Sequence, residues 1–117
     1  MTLPTRRRIP NRRHAETFEM SHGNKSARFK VTVGFWPDRA GPAEVFVSGA
    51  KAGTEIEAVA RDGAVLLSIA MQYGVPLAVI GGAITREQDG SPSSIIGAVV
   101  DRLLPASQPT TTTPGLV

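Results

Sequence analysis

The chain has 117 residues, so one domain with a core able to fold without covalent staples is the expected organisation. It contains no cysteine, which excludes disulfides and thiolate metal sites, and its apolar runs fall short of the roughly 20 residues a membrane span needs. Net charge is +3, but Arg6, Arg7, Arg8, Arg12 and Arg13 crowd into the first thirteen residues with no acid among them, leaving the remainder net acidic. The basic balance therefore belongs to an arm. Such an arm suits contacts to phosphate, since each neutralised phosphate releases counterions; a solvated charge run is the plainer alternative.

Residues 1–13 are read as a basic, flexible arm, extended or disordered and broken by Pro4 and Pro10. No apolar segment follows it as a secretory leader requires, so a soluble, cytoplasmic protein is the expectation. Ala15 to Met20 alternates, with Phe18 and Met20 on one face, and reads as a first strand. Ser21 to Lys25 carries turn chemistry at Gly23 and Asn24. Phe29, Val31, Val33 and Phe35 then alternate with Arg28, Lys30, Thr32 and Gly34, the cleanest period-2 signal in the chain. On that pattern Trp36 falls on the opposite face, either free to stack on a base or partner, or covered by the arm or the Pro37 loop. After a loop at residues 37–42, Ala43, Val45 and Val47 open a third strand.

Thr54 and Glu57 have the spacing of a capping box at the start of a long helix. Ile56, Val59, Ala60, Gly63, Leu66, Leu67 and Ala70 make its expected core face. Ala58, Val65 and Ile69 make a second apolar stripe. Gly74 and Pro76 end this helix and begin another through Leu77, Val79, Ile80 and Ala83. Ser91 and Pro92 are read as N-cap and first residue of a third helix, carrying Ile95, Ile96, Val99, Val100, Leu103 and Leu104 and stopped by Pro105. The expected fold is α+β in two layers: a three-stranded antiparallel meander covered by two to three helices. It occupies residues 14–104, and residues 105–117 form a low-complexity, disordered tail.

Lys51 lies in a Gly-flanked loop, Gly49-Ala50-Lys51-Ala52-Gly53-Thr54, that enters a helix. Backbone N–H groups and the helix dipole favour an anion there, although the spacing is not that of a Walker A loop and a tight turn explains the glycines equally. Arg12, Arg13, Arg28, Lys30, Lys51, Gly53 and Thr54 are the candidate phosphate or nucleic-acid contacts. Val65, Ile69, Val99 and Leu103 are candidate protein-interface residues, since a small sheet leaves a second stripe uncovered; they also motivate an expected homodimer. Asp62 has Arg86, the arm or solvent as its candidate partners. His14 and His22 lack zinc-site spacing, and no nucleophile–base pair or G-x-S-x-G motif is visible. The chain is therefore expected not to be an enzyme, with no cofactor.

The segments Ile9-Pro10-Asn11-Arg12-Arg13, Glu16-Thr17-Phe18, Val33-Gly34-Phe35, Ala43-Glu44-Val45-Phe46, Lys51-Ala52-Gly53 and Ala60-Arg61-Asp62 act as a set. With Leu66-Leu67-Ser68-Ile69-Ala70 and Tyr73-Gly74-Val75-Pro76-Leu77, they resemble the TSCPD domain. That domain occurs at the C-terminus of cobalamin-dependent ribonucleotide reductases and as small free-standing proteins. The motif that names it is absent: the corresponding region reads Gly90-Ser91-Pro92-Ser93-Ser94-Ile95. Metal or redox roles of the family's cysteines do not transfer. In the reductases this domain is an appendage apart from the catalytic barrel, for which this chain has no room. The concentration of positive charge beside a helix N-terminus makes a non-catalytic binding module for nucleotide or nucleic-acid phosphate the leading reading; the alternative is an accessory domain that docks on a ribonucleotide reductase or other enzyme.

Overall fold

In the computed structural model, which describes residues 4–23, 27–37, 40–49 and 54–107, alternation becomes a sheet. Strands β1 (Ala15–His22), β2 (Ala27–Phe35) and β3 (Pro42–Gly49) lie antiparallel in the order β1-β2-β3. Phe18 faces Val31, Met20 faces Phe29, and Val31 and Val33 face Val47 and Val45. These pairs put one apolar face under the helices, with Val31, Val33 and Val45 fully enclosed. Thr17, Glu19, Lys30, Thr32, Phe46 and Ser48 share the other, outward face. The meander and its two-layer cover are as the pattern implies.

Helix α1 (Glu55–Gln72) lies over β3, and α2 (Leu77–Ala83) and α3 (Ile95–Ser107) complete the second layer. Thr54 caps α1 by accepting from Glu57 N at 3.2 Å. Gly74, at φ 92°, closes its other end: Gly74 N donates to Met71 O and Val75 N to Ala70 O, both at 3.0 Å, a Schellman arrangement.

The face α1 turns inward differs from the one expected. Ala60, Ala64, Leu67, Ser68, Met71 and Gln72 are buried, whereas Ile56, Val59 and Leu66 face outward. Two polar residues rotate the helix. The Ser68 hydroxyl accepts from Val45 N at 2.8 Å, and its proton is shared between Val45 O and Ala64 O. Gln72 Nε2 donates to Ala43 O at 3.1 Å. Together they occupy the outer edge of β3, whose backbone groups would otherwise be buried unpaired.

Helix α3 also differs at both ends. Its cap is Ser94, whose hydroxyl accepts from Gly97 N at 3.0 Å. Ser91 instead donates to Asp89, through N at 2.9 Å and its hydroxyl at 2.6 Å, and Pro92 forms a bridge with Arg86. The helix runs past Pro105 to Ser107, since a proline near a C-terminus removes only a single intrahelical bond. Residues 108–117, most of the expected tail, lie outside the described residues.

Candidate functional site

The residues chosen for phosphate do not converge. Arg12 is exposed. Arg13 is spent on Glu44, with a further bond to Pro10 O at 2.8 Å. Arg28 pairs with Glu19 on the outward sheet face, holding that carboxyl below its ordinary range mainly by hydrogen bonding, and Lys30 sits directly opposite Glu19 in the β1–β2 register. Glu44 is opposite Gly34, six residues along β2 from Arg28, a separation of about 20 Å at some 3.3 Å per residue. Thr54 has its hydroxyl on the helix it caps. Lys51 and Gly53 lie outside the described residues.

The arm is tied to the body rather than free. Arg7 N donates to Gln72 O at 2.8 Å, Arg6 Nε donates to Gln72 Oε1 at 2.6 Å, and the Arg7 guanidinium lies 3.9 Å from the Trp36 ring centroid. The last turn of α1 has no basic residue of its own, so the arm brings cations to the negative end of its dipole. Trp36 is thereby buried, and of its two expected fates the cover by the arm is the one observed. Among the described arm residues, Arg8 and Arg12 have no hydrogen-bonded or ionic partner.

The candidate interface residues divide. Val99 and Leu103 belong to the core of the chain itself, packed in the cluster that holds Val31 and Leu67, and are not available to a partner. Ile69 is half-buried, and Val65 points outward. The exposed apolar face of α1 is wider than the expected stripe. Ile56 and Val59 are each 62% exposed, Val65 54% and Leu66 68%.

Ile56 and Val59 also form one wall of an open groove of about 980 Å³. Phe29 and Ala60 floor it, Ile95 and Ile96 form the facing wall, and His22, Arg28, Ser93 and Ser94 stand at the rim. The helices meet at Gly63, where a Cβ would come within 2.6 Å of Ile96 Cγ1. Of the two serines at this rim, Ser93 donates to Glu87 and Ser94 accepts from Gly97 N. Among the described residues, no group of three or more His, Asp or Glu is placed to hold a metal ion.

Of the three fates open to Asp62, namely Arg86, the arm or solvent, exposure to solvent is the one observed. Arg86 makes a bidentate pair with Asp101 at 2.8 Å through both nitrogens, and donates to Gly81 O and Gly90 O at 2.9 Å. One guanidinium thus joins α2, the following loop and α3. The hydrogen bond from Arg86 holds the Asp101 carboxyl below its ordinary value, with partial burial opposing it and the positive charge assisting. A depressed folded-state pKa gives stability that is present above the unfolded value and lost as pH falls through the folded one. Asp101→Asn is therefore expected to melt below the parent at neutral pH. The gap should narrow as pH falls below the ordinary aspartate range, where the unfolded chain takes up the proton first and the folded carboxyl follows only at lower pH. Thermal melts of both proteins across that range provide the check.

The TSCPD domain model matches residues 2–106, an extent that includes the arm. A vitamin B12-dependent ribonucleotide reductase from Rhodopirellula baltica is 40% identical over 77 residues, covering 66% of this chain. The aligned part is 7% of that protein, so the chain spans a small fraction of the relative it matches. No solved structure matches it. No described helix is long and apolar enough to cross a membrane. With a match over nearly its whole length, the chain belongs to the TSCPD domain family.

Proposed function

We propose that the chain is a non-catalytic accessory module that docks on a protein partner through the outward face of α1, a cobalamin-dependent ribonucleotide reductase being the first candidate. The observation that carries this is the exposure of Ile56, Val59, Val65 and Leu66 on one helix whose opposite face is fully used by the sheet. Scattered single apolar residues need no explanation, but Ile56, Val59 and Leu66 recur at helical spacing on one side of α1, with Val65 on its far flank, and form a patch of the kind that marks an interface. The kinship with part of a reductase supplies the partner class. Titration of the reductase with the full chain, followed by calorimetry, tests it. Leu66→Glu should weaken association about tenfold or more, the scale of a truncated interface anchor. Equal affinity of Leu66→Glu and the parent would remove α1 as the docking face.

A second reading, recognition of nucleotide or nucleic-acid phosphate, rests on Arg8, Arg12 and Lys30. All three cations are exposed; Arg8 and Arg12 have no hydrogen-bonded or ionic partner among the described residues, while Lys30 faces Glu19, whose carboxylate Arg28 already engages. It is the weaker reading because Arg6, Arg7, Arg13 and Arg28 are already engaged. Salt-dependent binding of single-stranded DNA, reduced by Arg12→Ala and unaffected by Leu66→Glu, would favour it over protein docking.

A further inference from the structure

The two edges of the sheet are treated differently. The β3 edge is sealed by Ser68 and Gln72 from α1. Nothing among the described residues seals β1. Phe35 N donates to His14 O at 2.9 Å, which makes His14 and Phe35 a hydrogen-bonded pair. Continuing that register, the even-numbered residues of β1 bond inward to β2. Ala15, Thr17, Glu19 and Ser21 turn their N–H and C=O groups outward. Proteins usually blunt such an edge with proline, lysine or a bulge. β1 has neither residue, and its pairing with β2 is unbroken from Ala15 to His22. On its helix-facing side Phe18 and Met20 remain only partly covered, with the Arg102 guanidinium 4.1 Å from the Phe18 ring centroid.

We infer that β1 is the interface for a second copy of this chain, joined antiparallel about Glu19 to form a continuous six-stranded sheet. Its own side chains select this occupant and this register. With Glu19 opposite Glu19 of the second copy, Phe18 meets Met20, Thr17 meets Ser21 and Glu16 meets His22, each pairing repeated across the twofold axis. Apolar meets apolar, hydroxyl meets hydroxyl, and a carboxylate meets an imidazole. Shifting the axis to Phe18 sets Glu16 against Met20 and loses the imidazole. The facing Glu19 carboxylates each bring an Arg28 partner and a neighbouring Lys30, so the centre of the junction is not a net cluster of negative charge. The pairing would also complete about six backbone hydrogen bonds at the open edge. This interface is the backbone edge of β1, whereas the docking face is a side-chain surface of α1; the two come near each other only at His22, on the rim of the groove that Ile56 and Val59 wall.

The absence of native cysteine makes the register directly testable. The full chain should sediment at twice its 12.4 kDa mass at micromolar concentration. Thr17→Pro removes an outward N–H and no bond to β2, so it should halve the mass while the circular dichroism stays native. Under oxidation Glu19→Cys should cross-link, since the paired Cα atoms lie about 5.5 Å apart, within disulfide reach. Thr17→Cys should not, its two copies being about 13 Å apart along the strands. Leu66→Glu should leave the dimer intact, so failure of the docking reading and failure of this one are separate results. A parent chain that sediments at 12.4 kDa, a Glu19→Cys protein that stays uncross-linked, or a dimer abolished by Leu66→Glu would each overturn the proposal.

Discussion

Leu103→Ala is expected to destabilise the fold by about 2–5 kcal/mol, whereas Val65→Ser should change stability by less than about 0.5 kcal/mol. Both residues belong to apolar helix stripes, and both are expected from sequence to face a partner. Leu103 is 6% exposed and sits in the core with Val99 and Val100, so truncation removes packed methyl groups and leaves a cavity. Val65 is 54% exposed and loses little that water does not replace. Urea unfolding of both variants measures the difference, with equal slopes confirming that the comparison is of native stability. Equal midpoints for the two would place Leu103 outside the core. The contrast has a functional use as well. A binding defect in Val65→Ser can be assigned to the surface, while one in Leu103→Ala would report on folding.

The strands are legible in the sequence because their side chains obey a simple rule. Phe29, Val31 and Val33 alternate with polar residues, and the sheet buries that face. The helix is less legible because its inward face is chosen partly by hydrogen bonds. Ser68 and Gln72 look like surface residues until the β3 edge is in view, and seating them there turns Leu66 outward. Trp36 shows the same limit. A register irregularity after Gly34 and the approach of Arg7 from the distant arm decide its burial, and neither is a local pattern. The candidate anion site was built from charges that sequence cannot pair. Glu44 and Glu19 take Arg13 and Arg28 across strands, which dissolves the cluster. Aspartate at 101 gave no signal of its role, because its partner Arg86 is brought to it only by the packing of α2 on α3. What survives from sequence is the family, the meander and an apolar helix surface larger than the sheet needs.

Gly49→Ala is expected to cost about 2–5 kcal/mol, far more than one added methyl group usually does at a strand end. Two separate physical terms enter. Gly49 has φ 118°, in the region that L side chains rarely adopt, and a residue with a Cβ costs about 1–2 kcal/mol when held at positive φ. An added Cβ would also lie 2.8 Å from Arg28 O and 2.9 Å from Phe29 Cα. These are backbone atoms of the central strand and cannot swing aside as a side chain would, so the overlap adds about 1–3 kcal/mol. Relief requires β3 to move away from β2 where Phe29 faces Gly49, and Phe29 floors the groove. The loss should appear as a lower unfolding midpoint. Gly23→Ala provides the control: it shares positive φ but has open space around its Cβ position. It should cost only the conformational part, about 1–2 kcal/mol. Equal losses at the two glycines would show that close approach to β2 contributes nothing, and that the strand end tolerates a side chain as well as an open turn does.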